Sequence, residues 1–233
     1  VAECDGKPVG MVVGNDYGPS AYVSQMAVDP VLQRRKIGSA LMHALIAWCD
    51  ARGFAGIELD ATPSGAPLYA RHGFVAVGET RLYTATRAGG DARAARRYLA
   101  ADRDGVLAAD ADAFGADRSD VIRLLLDEPQ NAAFVIGGGR RNVSGYAVAQ
   151  PITGLLGPVI APAPNAAAQL IDAARAHLSI AHRIAFPSDN AAAGPILTAR
   201  GYRCQHSLAH MVRGARPAAA QLKFYARINL GQG

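Results

Sequence analysis

The sequence predicts an α/β protein in which a mixed sheet is covered by helices and the whole arrangement occurs twice along the chain. Three observations carry this. Segments with the period-two alternation of strands take turns with segments of helical period, the pattern of a mixed sheet rather than of a bundle or an all-β barrel. Short landmarks recur in the same order in both halves, the signature of a duplicated unit. Between the halves, the stretch from Arg87 to Arg96 is rich in Ala, Gly and Arg and has no apolar period, which places domains at 1–88 and 97–233 with a linker at 89–96.

The chain has 233 residues, room for one large or two small globular domains that each bury a core. No window approaches the roughly 18 to 20 uninterrupted apolar residues of a membrane span, and no charged-then-apolar leader opens the chain, so no membrane partner is expected. Cys4, Cys49 and Cys204 are odd in number and far apart, which argues against a disulfide framework and for a reducing, cytoplasmic setting. Lys plus Arg number 24 against 19 Asp plus Glu, a formal charge of +5 that favours an anionic partner: nucleic acid, a phosphorylated cofactor, or none in particular. Only 6% of residues are aromatic and no nucleic-acid motif is present, so no nucleic-acid partner is expected.

In chain order, the first half reads as strands at 8–13 and 21–28, a helix over 37–52, a strand at 56–59, a short helix at 66–71, and one long strand or a hairpin over 74–86. The chain opens with Val1, almost directly into an alternating stretch, so something upstream is expected to be absent. The second half reads as a short strand at 97–99, helices at 104–114 and 119–127, and strands at 133–136, 143–149 and 155–161. Asn165 is placed to cap a helix running to about 178, followed by a buried strand at 184–186, a helix at 191–200 and two strands. The last of these, 222–230, alternates Leu222, Phe224, Ala226, Ile228 and Leu230 with Lys223, Tyr225, Arg227 and Asn229.

Laid over each other, the halves match at three places. Gly73-Phe74 after Pro67-Leu68 corresponds to Gly201-Tyr202 after Pro195-Ile196, Val28-Asp29-Pro30 to Ile160-Ala161-Pro162, and Val9-Gly10 to Ser144-Gly145. Val28 to Phe74 is 46 positions and Ile160 to Tyr202 is 42, so the second copy is shorter by 4, most naturally in the loop that holds Gln33 to Gly38 in the first.

That loop carries the chemistry. A strand ending at Val28-Asp29-Pro30, then Gln33-Arg34-Arg35-Lys36-Ile37-Gly38-Ser39-Ala40, then an amphipathic helix is an anion-binding arrangement. N–H groups at a helix start have no partner within the helix and point at whatever sits there. Successive N–H groups in such a loop can form a concave nest, with Arg34, Arg35 and Lys36 adding charge, and Gly38 removes a Cβ where ligand and backbone would meet. From charge alone, a basic helix start on a solvated surface is the simpler account.

These residues resemble a known family. Strand, Gln-x-x-Gly-x-Gly or Ala, helix is the acetyl-CoA pyrophosphate motif of the GNAT N-acetyltransferases, and Leu68-Tyr69-Ala70-Arg71-His72-Gly73-Phe74 looks like the family's other signature, a helix with a tyrosine followed by Gly-Phe. The resemblance covers most of residues 6–87 and extends over 97–230 through the repeat. It implies two tandem GNAT-like acyl-CoA N-acyltransferase domains, the first lacking the family's N-terminal elements and the second drifted. Lys36 stands where the family usually has its first glycine. Its side chain either crowds the pyrophosphate or pairs with it, and pairing is expected.

The resemblance further implies acetyl-CoA as co-substrate, no metal, and a primary amine of a small molecule or peptide as acceptor. Two parallel strands are expected to splay, with backbone of Met26, Ala27 and Val28 holding the pantetheine arm and the thioester oxygen. Gln33, Arg34, Arg35, Lys36, Ile37, Gly38, Ser39 and Ala40 are expected around the pyrophosphate. Tyr69 matches the tyrosine that protonates the departing thiolate. For the general base, Asp60 and an ordered water are both open, and a role for Asp60 capping the next loop with Thr62 is preferred. Tyr22 and Ser24 either line the acceptor side or are plain strand residues.

In the second copy Leu197 falls opposite Tyr69, and Pro162-Ala163-Pro164-Asn165-Ala166 replaces the basic loop with residues that include prolines lacking N–H groups. It is expected not to bind CoA, and instead to shape the acceptor pocket or pack on the first copy, within one chain or across a homodimer. Gly137-Gly138-Gly139-Arg140-Arg141 reads as a turn between strands. His206 and His210 are too far apart in a strand to share an ion easily, all six histidines read as satisfied or exposed, and Cys49 reads as core. A non-catalytic acyl-CoA-binding or partner-binding module is the alternative to an enzyme.

Overall fold

The computed structural model describes residues 1–86, 89–138, 142–178, 181–187, 189–216 and 223–230. Arg87 of the expected linker, Gly139-Arg140-Arg141 of the expected turn and Leu222 of the expected last strand lie outside the described residues. In chain order the elements are β1 (Ala2–Cys4), β2 (Lys7–Asp16), β3 (Ser20–Val28), α1 (Ile37–Ala51), β4 (Gly56–Ala61), α2 (Ala66–Arg71) and β5 (Val75–Ala85). There follow β6 (Arg96–Arg97), α3 (Arg103–Phe114), α4 (Ser119–Asp127), β7 (Ala132–Gly137), β8 (Val143–Gln150) and β9 (Leu155–Ile160). The last five are α5 (Pro164–Arg175), β10 (His182–Pro187), α6 (Ala193–Thr198), β11 (Arg203–Gly214) and β12 (Phe224–Ala226). No helix among the described residues is long and apolar enough to cross a membrane.

Several local expectations are corrected. The chain opens with a hairpin, Cys4 pairing Lys7 across Asp5-Gly6, both at positive φ, the Asp-Gly turn that matches strand twist. Of the two alternatives expected after Phe74, the single long strand is the one found, β5. Asn165 does not cap α5. Pro164 occupies the first helical position behind Ala163, where a fixed φ and a missing N–H cost nothing. The alternation of 222–230 yields only three strand residues, paired with an irregular register between Phe224 and Ala226, and Phe224 through Ile228 are all buried, including Tyr225 and Arg227, whose guanidinium Nε donates to Thr80 Oγ1 at 3.0 Å.

The chain forms two compact units that do not follow its order. The first holds Val1–Glu79 together with residues 208–216, and the second holds Thr80–Ser207 with residues 223–229. In the first unit the strand order is β1-β2-β3-β4-β11, with β11 antiparallel to β4 from Ala209↔Ala61 to Gly214↔Gly56. In the second unit it is β5-β10-β9-β8-β7-β6, with β5 antiparallel to β10 from Ala85↔His182 to Thr80↔Pro187. Each unit thus takes the end of a strand whose beginning lies in the other, and both borrowed ends pair with the strand that precedes a short helix and a Gly-aromatic step.

In the first unit Met42, Leu45 and Cys49 put one face of α1 on Ala21, Val23, Ile57, Leu59, Ala61, Phe74 and Met211. Burial raises the Cys49 thiol to about 11, so it stays a neutral core group. In the second unit α5 covers one sheet face through Leu170, Ile171 and Ala174, and α3 and α4 cover the other through Val106 and Ile122. There the Arg118 guanidinium meets both Asp110 oxygens at 2.8 and 2.9 Å, and the Tyr146 hydroxyl donates to the same carboxylate. Met211 is 4% exposed within the first unit's core, although β11 comes from late in the chain. Met211→Ala should therefore destabilise the first unit by about 2–5 kcal/mol, and hydrogen exchange should show protection lost first in α1 and β4 rather than in α5 and β9.

Candidate functional site

The site begins where two parallel strands stop pairing. β3 and β4 are in register from Ser20↔Gly56 to Val23↔Leu59 and no further. A bulge at Ser24 marks the break, since Val13 pairs with Gln25 and Gly14 with Val23 on β2. Beyond it, Gln25 to Val28 pair only with β2, while Asp60 and Ala61 pair with β11. One edge of β3 therefore turns polar backbone groups toward a gap that no strand among the described residues enters. Met26, Ala27 and Val28 all lie on this edge segment.

The turn above it is built from side-chain caps. Asp29 accepts from the Val31 N–H at 2.9 Å, and the Gln33 amide donates to the Val28 carbonyl at 3.3 Å, tying the motif to the strand end. Arg34 and Lys36 have φ of 66° and 65°, left-handed values that favour glycine. That is the physical basis of the glycine expected at position 36, and Lys36 accepts the strain. Its carbonyl receives the first intrahelical bond of α1, from Ala40 N–H at 3.0 Å, so the N–H groups of Ile37, Gly38 and Ser39 come before the helical ladder. The Arg34, Arg35 and Lys36 side chains are exposed around them.

The start of α1 rests on α2. A Cβ built on Gly38 would lie 3.3 Å from Leu68 Cδ2 and 3.8 Å from Val28 Cγ2, so this glycine admits close approach of helix, helix and strand. Ser39 Oγ shares a hydrogen bond with His72 Nε2 at 2.8 Å, and burial, with His43 and Arg71 nearby, lowers the His72 pKa. Tyr69, one residue past Leu68, is half-buried and edge-on to Phe74 with ring centroids 6.0 Å apart. Its hydroxyl makes no hydrogen bond among the described residues, and burial raises its pKa above 10.0, which keeps the phenol protonated. The structure thus brings Val28, Gly38, Ser39 and α2 together at the mouth of the gap.

Asp60 does not cap the next loop. Thr62 Oγ1 does so, accepting from the Gly65 N–H at 3.1 Å. Strand alternation points Leu59 and Ala61 at α1 and Asp60 at the opposite face. There one carboxylate oxygen accepts from the Tyr22 hydroxyl at 2.8 Å and the other is 3.0 Å from His210 Nδ1, while His210 Nε2 lies 3.0 Å from Glu58. This cluster was not readable from the sequence, because 150 residues separate Asp60 from His210. Its one signal was a carboxylate pair at i, i+2 on a short buried strand, which needs a cationic partner from elsewhere. Among the described residues no group of three or more His, Cys, Asp or Glu side chains could hold a metal ion.

The corresponding gap in the second copy is filled. Among the described residues β9 and β10 pair at Leu155↔Arg183 alone, and β12 lies on β9 through Phe224↔Ile160 and Ala226↔Val159. The Arg227 N–H then donates to the Ala185 carbonyl on β10, at 2.8 Å. The two copies are otherwise equivalent here. Phe74 N–H donates to the Tyr69 carbonyl at 3.2 Å, and Tyr202 N–H to the Leu197 carbonyl at 3.1 Å, which sets a fully buried leucine in the tyrosine's place.

Splayed strands, an anion-type helix start and a tyrosine helix define an acyl-CoA-dependent N-acyltransferase fold, and the comparisons agree. Family models of the acetyltransferase (GNAT) domain match residues 1–76 and, separately, residues 106–226. The chain belongs to the GNAT acetyltransferase family, carries two of its domains in tandem, and is an acyltransferase. It is 28% identical over 191 residues to the uncharacterized N-acetyltransferase YitH of Bacillus subtilis (strain 168), an alignment covering 80% of this chain and 67% of that protein. An acetyltransferase-like protein from Pyrococcus horikoshii has a similar structure, with a TM-score of 0.84 at 23% identity, over 98% of this chain and 78% of that one. A GCN5-related N-acetyltransferase from Sphaerobacter thermophilus has a TM-score of 0.62 at 15% identity, over 96% and 79% of the two chains. These structural likenesses show the fold.

The left-handed backbone at Lys36 gives a direct expectation. Lys36→Gly should raise the stability of the first unit by about 1 kcal/mol, the strain of a side chain in that conformation less the added freedom of the unfolded chain, measured by urea unfolding.

Proposed function

We infer that the first copy, residues 1–88 with the end of β11, transfers the acetyl group of acetyl-CoA to a primary amine of a small molecule or peptide, and that the second copy, 97–233, is not catalytic. The observation that carries this is the open β3–β4 gap, with a strand edge unpaired among the described residues on one side and, at its mouth, a helix start whose first N–H groups precede the helical ladder. An extended, amide-containing arm ending in a diphosphate matches both features. The filled gap, the proline-led α5 and Leu197 support the absence of a cofactor in the second copy.

In this scheme the backbone of Met26, Ala27 and Val28 takes the place of a neighbouring strand, binding the pantetheine amides and orienting the thioester. A strand N–H at this edge stabilises the oxyanion that forms when the amine lone pair attacks the carbonyl carbon. The N–H groups of Ile37, Gly38 and Ser39, within the Gln33 to Ala40 motif, hold the diphosphate, and Arg34, Arg35 and Lys36 pair with its charge. As the carbon–sulfur bond breaks, the Tyr69 hydroxyl gives its proton to the sulfur and the amine nitrogen loses one to base or solvent, so charge balances.

Calorimetric titration of acetyl-CoA into the full chain should give one site per chain, lost in an Arg35→Ala, Gly38→Asp double variant. Lys36→Gly should bind no more tightly than the unchanged protein, and much tighter binding would mean that the lysine crowds the diphosphate. Tyr69→Phe should bind acetyl-CoA normally yet turn over about 10²-fold more slowly. Because burial holds the Tyr69 phenol protonated past its ordinary 10.0, the acid is competent at every lower pH, and the rate should show no falling limb from this group below that value. Binding without turnover on any amine would favour a non-catalytic acyl-CoA-binding module.

A further inference from the structure

We propose that the second GNAT copy serves the first by donating β11, and that His210 on this strand is a positioning residue for the cofactor gap; the inference rests on the reading that acetyl-CoA occupies the space between β3 and β4. The second copy's own gap is filled by β12, and β11 lies within the second matched GNAT segment, 106–226. Its end completes the first unit, with His210 directly opposite Asp60.

His210 sits at the vertex where the strands diverge. Tyr22 pairs with Glu58 and Val23 with Leu59 in the last rungs of β3 and β4, and Asp60 is the first residue beyond them. Across these rungs run the Tyr22 hydroxyl to Asp60 at 2.8 Å, Asp60 to His210 at 3.0 Å and His210 to Glu58 at 3.0 Å, with Arg216 Nε 3.4 Å from the same Glu58 oxygen. His210 and Tyr22 are 2% and 1% exposed, and the Asp60 side chain is fully buried. Two carboxylates on neighbouring positions of one strand face repel unless a donor bridges them. The imidazole does so, one nitrogen facing each carboxylate. The bridge fixes Asp60, and Asp60 in turn fixes Tyr22 on β3. Cut loose, β3 can zip a rung further onto β4 or separate from it a rung sooner, and either shift moves the edge of Met26 to Val28 relative to its ligand.

The test compares vertex variants with a control that loosens the same strand elsewhere. Asp50 on α1 meets Arg213 of β11 at 3.1 Å, on the far side of the first unit's core from the cluster. In the full chain, Tyr22→Phe, which removes a hydroxyl that holds Asp60, should weaken acetyl-CoA binding about tenfold, His210→Gln, which breaks a two-sided bridge, should weaken it at least as much, and Asp50→Asn should leave it unchanged. In the protein without acetyl-CoA, amide exchange over residues 22–28 should quicken in the vertex variants and not in Asp50→Asn. Unchanged binding and exchange in Tyr22→Phe, which keeps the ring and decides the matter if His210→Gln does not fold, would overturn the inference while leaving the function standing. So would an equal loss in Asp50→Asn. Absence of binding by the unaltered protein would overturn the cofactor reading and this inference with it.

Discussion

A backbone N–H or C=O removed from one partner has to find another, and this obligation organises the molecule around β3 and β4. The strands share rungs as far as Val23 and Leu59 and then separate. On the β4 side the obligation is met by β11, so Asp60 and Ala61 remain in a sheet. On the β3 side only β2 remains among the described residues, and the inner edge is the one proposed above to meet the cofactor. The second copy meets the same obligation differently, by folding β12 into the equivalent place. One copy has kept the opening and the other has closed it with its own chain, and both preserve the flanking architecture.

The charges are arranged in two regimes. At the loop, Arg34, Arg35 and Lys36 are solvent-exposed cations around a helix start, where their attraction for an anion is screened and adjustable. At the vertex, carboxylates and imidazole are buried and mutually bonded, an arrangement whose partial removal is costly and whose geometry is therefore well defined. Under the proposed function, exposed charge stands where the cofactor's diphosphate would enter and buried, mutually bonded charge where the strands divide.

Much of this was legible in the sequence, for identifiable reasons. α1 and α2 announce themselves through apolar period and Pro67, and the Gly73-Phe74 and Gly201-Tyr202 steps recur as the same cap, with both glycines at positive φ. The duplicated unit could be read because such caps are local. What could not be read is non-local or depends on burial from both sides. The segment 222–230 alternates apolar and polar residues, yet Tyr225 and Arg227 are as buried as their neighbours because the segment lies between two strands. The partnership of Asp60 with His210 and Tyr22 follows from strand exchange, which leaves no periodic trace. The strain at Lys36 was visible only as a departure from a motif until its φ gave the cause.

The exchange of strands also sets an order of events during synthesis. Asp60 and His210 are 150 residues apart, so at about 5–20 residues per second a ribosome delivers β4 on the order of ten seconds before its partner. Throughout that interval β4 has been made and the strand that pairs with its outer edge has not. A waiting edge of that kind is a template for wrong pairing, and β5, made next, could add to the sheet in β11's place. Correct assembly thus requires the early strand to stay unpaired or be displaced, and the glutamate and aspartate that later clasp His210 would meanwhile keep it hydrated.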